Sequence, residues 1–160
     1  MKDIFVTRKG LQILEARRLE LMGKLKAIQR QKGPAVEEGT WHDNFSFEQL
    51  IRDENAVSKQ LRDIRETIDA TTIVPDVPLG TETLQIGHVV HLCIESDNVV
   101  KTVVVGGFGE TDLNVKPPII DYCAPLLKPF YGHEEGHEAT VQLGGVSKNV
   151  VLESIEMRRN

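Results

Sequence analysis

Apolar residues recur along this chain with two different periods, and the change from one to the other divides it. Leu11, Leu14, Leu21, Leu25 and Ile28 follow one another at alternating steps of three and four, with Arg18 filling one place in the series. That spacing lines one stripe of a helix and is of coiled-coil type. Thr7 is the expected N-cap. Gly33-Pro34 is the expected stop, because proline lacks an amide and restricts the residue before it. A second run follows: Phe47, Leu50 or Ile51, Val57, Leu61, Ile64 and Ile68, with Glu54 occupying a seam position as Arg18 does in the first. Two such arms separated by a break predict an antiparallel hairpin. Each arm has ~25 residues, so the hairpin is ~35–40 Å long.

Beyond residue 73 the pattern changes. Residues 74–83, "VPDVPLGTET", read as a linker, with 76–83 as its body. The β-branched runs "HVVHLCI", "VVKTVVVGGF", "EATVQL" and "NVVLESIEM" then alternate with glycine turns, and "APLLKPFYG" at 124–132 is a possible short helix. The expected class is α+β: an N-terminal coiled-coil hairpin over 1–75, then a compact antiparallel β domain over 84–160.

Charge sharpens the reading of the hairpin. Residues 1–32 carry nine Lys or Arg against Asp3, Glu15 and Glu20. Residues 37–54 carry Glu37, Glu38, Asp43, Glu48, Asp53 and Glu54 against Arg52. A basic stem thus leads into an acidic turn, "EEGTWHDNFSF", which also holds the only Trp and two of the five Phe. The net charge of −5 argues against a general nucleic-acid coat protein. No apolar run approaches the ~20 residues of a membrane span. The first residues lack the apolar core of a signal peptide, so a cytoplasmic location is expected. Cys93 and Cys123, far apart and in apolar stretches, are expected to be reduced and buried.

One motif misleads. "HEEGH" (133–137) has the letters of a zinc-protease H-E-x-x-H, whose chemistry needs both histidines on one face of a helix. Gly132 and Gly136 break any such helix, so a solvent-facing turn is expected and no stably held metal. His88 and His91, on no convincing shared face, are expected at the surface or half buried.

The ordered series of segments resembles the Gre transcript cleavage factors of bacterial RNA polymerase. "VTRKGLQIL" is similar to the family's Thr-x-x-Gly-x-x-x-Leu, and "GTWHDNFSF" to its tip, Gly-Asp-Leu-x-Glu-Asn-x-Glu-Tyr. "IGHVVHL" resembles its Phe-Gly-x-x-Val-x-Leu strand and "GETD" its Glu-Ala-Asp element. "APLLKPFYGHEEGHEATV" resembles Ser-Pro-x-x-x-Ala-Leu-x-Gly-x-x-x-Gly-Asp-x-Val, which places "HEEGH" in the turn of the Gly-x-x-x-Gly.

The resemblance implies an FKBP-like second domain that docks on RNA polymerase and a hairpin that enters the secondary channel. There the family's tip carboxylates help to hold a second Mg²⁺ shared with the polymerase and orient the water that cleaves backtracked RNA. No cofactor of the protein's own is implied. The tip departs from the pattern. Thr40 stands for the family's Asp, Asp43 for its Glu and Ser46 for a third acid, while Asn44 matches and Phe47 replaces Tyr. Asp43 is the expected tip carboxylate. Glu37 and Glu38 would add to it if the tip folds them inward, and His42 is a lesser candidate. Glu110, Asp112 and Pro125 are the implied polymerase-docking residues, although Ala124 replaces the serine before that proline.

Arg17, Arg18, Lys24 and Lys26 are candidates for contact with the nascent RNA 3′ segment; a solubilising helix face is the alternative. The expected function is an accessory factor, monomeric and not itself an enzyme, that stimulates RNA cleavage by the polymerase. The alternative is a factor that occupies the channel without cleavage, with Trp41 and Phe45 as anchors. A third reading is a coiled-coil adaptor for another protein. Phe108, Tyr122, Phe130 and Tyr131 are too few and irregular for a prolyl isomerase pocket.

Overall fold

The computed structural model describes residues 4–38 and 45–158, with the backbone alone over 34–38. In chain order the elements are β1 (Ile4–Val6), α1 (Arg8–Glu38), α2 (Phe45–Asp69), β2 (Thr71–Ile73), β3 (His88–Ile94), β4 (Val99–Gly106), β5 (Ile119–Asp121), β6 (Glu138–Leu143) and β7 (Val146–Met157). They form two units. One holds α1 from Gln12 onward with α2; the other holds β1, the first turn of α1 and the chain after Thr71. The division expected near residue 75 therefore runs differently at the N-terminus, where a strand too short to show a period precedes the helix.

In the helical unit the two arms are antiparallel, since Lys32 and Gln29 near the end of α1 meet Glu54 near the start of α2. The heptad positions are the sheltered ones: Leu14, Leu21 and Leu61 are buried, and Leu25, Ile28, Val57, Ile64 and Ile68 half-buried. Leu50 takes the seam place and Ile51 is exposed, which settles the alternative between them. Contrary to expectation, Gly33-Pro34 does not end α1, which runs on to Glu38. Proline disfavours a helical residue before it by striking that residue's N–H and Cβ, and glycine lacks the second of these. What is lost is one amide donor toward the Arg30 carbonyl, in the last turns of the helix.

The second unit is built on a five-stranded sheet of order β5-β4-β3-β7-β6. β3 alternates strictly, with His88, Val90, Leu92 and Ile94 buried, as a half-buried strand should. β3 pairs antiparallel with β4 and with β7, where a bulge shifts register between His91 and Leu92. The sheet is not wholly antiparallel, because β5 lies parallel to β4, with Val104 opposite Ile119. Three residues of β5 carry too short a pattern to reveal its direction. β1 and β2 form a separate two-stranded sheet.

Leu126, Leu127 and Phe130 cover one face of the large sheet, packed with Leu84, Val90, Leu92, Val105, Val141, Val150 and Leu152. The short helix considered at 124–132 is instead a series of turns, with Lys128 bonded to Ala124 and Tyr131 to Leu127. Pro129 has no amide to bond the Pro125 carbonyl, so a continuous helical ladder cannot form.

The expected linker is tied into this unit. Leu84 and Pro78 are buried, and His88, expected at or near the surface, is fully buried beneath the loop. The His88 Nδ1 accepts the Gln85 N–H at 3.0 Å, and its Nε2 lies 2.6 Å from the Gly80 carbonyl. The ring is thus a neutral imidazole that carries its proton on Nε2. Burial holds its pKa below the ordinary 6.5, against the opposing Gly80 bond.

The unfolded chain therefore takes up the His88 proton first as pH falls. The stability His88 contributes is fully present above pH 6.5 and is lost as pH drops from there through the lowered folded-state value. Urea unfolding at pH 7.5 and pH 5 should show this loss in the wild type and a smaller one in His88→Gln. Equal losses would refute the assignment.

Candidate functional site

Near the end of the hairpin where α1 finishes and α2 begins, polar side chains of the two arms meet. Lys32 Nζ lies 2.5 Å from Glu54 Oε2 and 5.9 Å from the centroid of the Phe47 ring. Gln29 Nε2 donates to the other Glu54 oxygen at 3.3 Å. Bonds from Lys32 first, then Gln29, hold the Glu54 carboxyl below its usual range. The acid that interrupted the apolar seam is thus matched by Lys32, which continues the heptad of α1 one step beyond Ile28. That partner escaped the sequence reading because the Gly-Pro step beside it was taken as the helix end.

Phe45, the first residue of α2, is 70% exposed. Thr40, Trp41, His42, Asp43 and Asn44 lie outside the described residues, as do the side chains of Glu37 and Glu38.

The four basic candidates on the stem differ in availability. Glu20 lies 2.6 Å from both Arg17 and Lys24, and bonds from Lys24 first, then Arg17, hold its carboxyl below the usual range. Two of the charges are therefore shared with an acid on the same helix face, though exposed pairs of this kind are weak and yield to a stronger anion. Arg18 faces the seam, and its Nε is buried without a hydrogen bond among the described residues. Lys26 is exposed and makes no ion pair among the described residues.

In the second unit, Glu110, Asp112 and Pro125 sit on neighbouring loops joined by Asp121. The Asp121 carboxylate accepts the Gly109 N–H at 2.8 Å and the Cys123 N–H at 2.7 Å. Its own N–H donates to Thr111 Oγ1 at 3.1 Å. Sequence reading passed over Asp121, whose only local sign is an Asp two residues before the turn it closes.

Pro125 is exposed on that turn. The Asp112 carboxylate accepts the Asn114 N–H at 3.0 Å, shaping a loop that carries Leu113, 70% exposed, at its crest. Glu110 turns inward, and both its oxygens accept hydrogen bonds from within the unit. Cys123, expected to be buried, is exposed on the turn, while Cys93 is half-buried.

Residues 133–137 form turns, as expected, with Gly132 at φ 81° and Gly136 at φ 85°, backbone that side chains rarely adopt. The His133 and His137 rings stack with centroids 3.8 Å apart, and Phe130 meets His137 edge-on at 6.0 Å. Glu135, which follows the acid of the motif, accepts the Ile155 N–H at 2.7 Å and so fastens the turn to β7. His91 is half-buried on β3, its Nδ1 2.8 Å from Thr102 Oγ1 and its Nε2 3.5 Å from Glu156. Among the described residues no three His, Cys, Asp or Glu are grouped to hold a metal ion, and no helix is long and apolar enough to cross a membrane.

No family model matches the chain. Among curated proteins, it is 21% identical over 163 residues to the transcription elongation factor GreA of a Jannaschia species, covering 97% of this chain and 98% of that protein. It is 22% identical over 157 residues to the GreA of Vibrio parahaemolyticus, covering 98% of this chain and 99% of that one. Among solved structures, GreA factor homolog 1 of Thermus thermophilus aligns over 97% of this chain and 99% of its own, at 15% identity and a TM-score of 0.45. The two curated relatives support the resemblance drawn from the motifs over nearly the full length of both chains.

Proposed function

We propose that this chain, similar over nearly its whole length to transcription elongation factors of the Gre family, binds bacterial RNA polymerase and reaches into its secondary channel with the α1–α2 hairpin. At the tip, Asp43 would then assist cleavage of backtracked RNA. The observation that carries this reading is the uninterrupted first arm. Its 31 residues continue through Gly33-Pro34, giving a rod of ~45 Å whose end is braced by Lys32, Glu54 and Phe47. A rod of that length suits a group that must be presented at a distance from its point of attachment.

The chemistry fits a carboxylate donor. Mg²⁺ prefers oxygen ligands, and a shared second ion would activate water and stabilise the departing oxygen. Asp43 supplies one such ligand; Thr40 supplies a neutral hydroxyl in place of a second. The exposed loops around Leu113 and Pro125 are the expected polymerase contacts, and Lys26 is the freest of the RNA-contact candidates. Because Thr40 removes a charge and Phe45 is exposed, a second reading keeps the docking without the cleavage: the tip fills the channel and excludes true cleavage factors.

A backtracked elongation complex, with Mg²⁺ or Mn²⁺ present, separates these readings. The first expects faster RNA shortening on addition of the protein. Competition against a cleavage factor with no shortening selects the second, and failure to bind polymerase removes both.

A further inference from the structure

Two of the segments that carried the sequence resemblance, "VTRKG" and "GETD", meet in the second unit as one joint. Thr7 follows β1 and caps α1. Its Oγ1 accepts the Gly10 N–H at 3.1 Å, and its carbonyl accepts the Leu11 N–H at 3.0 Å. The Thr7 hydroxyl in turn donates to Glu110 Oε1, which also accepts the Thr7 N–H at 3.1 Å. The other Glu110 oxygen accepts the Gly107 N–H at 3.1 Å. A carboxylate therefore sits one hydroxyl away from the amides that open α1, where a negative charge is favoured.

The glycines on either side make room for it. A Cβ on Gly10 would strike Glu110 Oε1, and one on Gly107 would lie 2.9 Å from the same atom and 3.0 Å from the Thr7 nitrogen. Thr7 itself is only 6% exposed.

We propose that Glu110 is a positioning residue for the hairpin: it fixes the first turn of α1 to the β unit, and through that continuous helix it limits the directions the hairpin can sample. The lever is long. Over ~45 Å of helix a tilt of about 5° at the root displaces the far end by about 4 Å. A misplacement of about 1 Å can cost on the order of 100-fold at a reacting centre. A single carboxylate at the root therefore governs where the tip arrives. The effect on transcription rests on the function proposed above; the effect on the hairpin does not.

Spin labels at Lys26 and Lys101, with Cys93 and Cys123 replaced by serine, report the distance distribution between arm and β unit. Glu110→Ala is expected to broaden it at least about twofold. Thr7→Val, which keeps the shape but loses the hydroxyl, should broaden it as well, and Glu110→Gln should fall between Glu110→Ala and wild type. Thr7→Val decides the matter if Glu110→Ala does not fold. With polymerase, the maximal effect of Glu110→Ala should fall about 10-fold or more while its half-saturating concentration changes less than about 3-fold. An unchanged distribution in a folded variant overturns the proposal, and loss of affinity with an unchanged distribution makes Glu110 a docking contact instead. If the wild type does not bind polymerase, the function above fails while the label distances still decide the joint.

Discussion

Phe130→Ala should cost the β unit about 3–5 kcal/mol, a large share of the ~5–15 kcal/mol that holds a domain folded. Phe130 is fully buried within the cluster that joins Leu84, Leu127, Val141 and Leu152. It also sits on a stretch with no helix or strand of its own. Residues 122–131 are held by turn bonds and by the side chains they place on the sheet, so losing the ring releases the segment as well as leaving a void. Urea unfolding followed by far-ultraviolet circular dichroism would give the number. Phe108, half-buried at the margin of the same cluster, is the control, and Phe108→Ala should cost clearly less. A loss below about 1 kcal/mol for Phe130→Ala would show that the turn segment is not anchored by this ring.

At the tip, Asp43→Ala should reduce stimulated RNA cleavage on the order of 100-fold, the scale set by misplacing or losing a group that orients a reacting centre. Thr40→Asp should act in the opposite direction, since a second carboxylate adds an oxygen donor and a negative charge toward a shared divalent ion. Cleavage rates in the backtracked complex, at saturating protein and across a magnesium titration, measure both. The Thr40→Asp protein is expected to reach half-maximal rate at lower magnesium. Should Asp43→Ala cleave as fast as wild type, the tip has no catalytic part. Should Thr40→Asp gain cleavage where wild type has none, the natural protein is a channel-filling factor whose tip has lost one charge.

The hairpin was legible because helix pairing is a local, periodic affair. One residue in every three or four must be sheltered, and from Leu11 to Ile28 and from Phe47 to Ile68 the chain states that directly. Even the anomalies at Arg18 and Glu54 were visible as seam positions. Their outcomes differ because Glu54 meets Lys32 across the hairpin, while the Arg18 Nε has no hydrogen-bond partner among the described residues. The end of α1 was misread because the cost of proline was counted without the relief that a preceding glycine gives.

In the β unit the alternating strand β3 and the glycine turns could be read, but the parallel direction of β5, the turn nature of 124–132 and the burial of His88 could not. The candidate residues of the site were legible as residue types in an order. What their side chains bond was not: Glu110, implied as a docking residue, has both carboxylate oxygens bonded within its own unit at the start of α1.

By itself, then, the sequence determined what depends on neighbours three, four or two residues away: two amphipathic arms and strands between glycine turns. Tertiary structure decided what depends on residues far apart in the chain. It set Thr7 against Glu110, His88 under Gly80 and Gln85, and Lys32 against Glu54. The physical reason is that periodicity records which face of an element is sheltered, while a hydrogen bond between distant residues leaves no period to read.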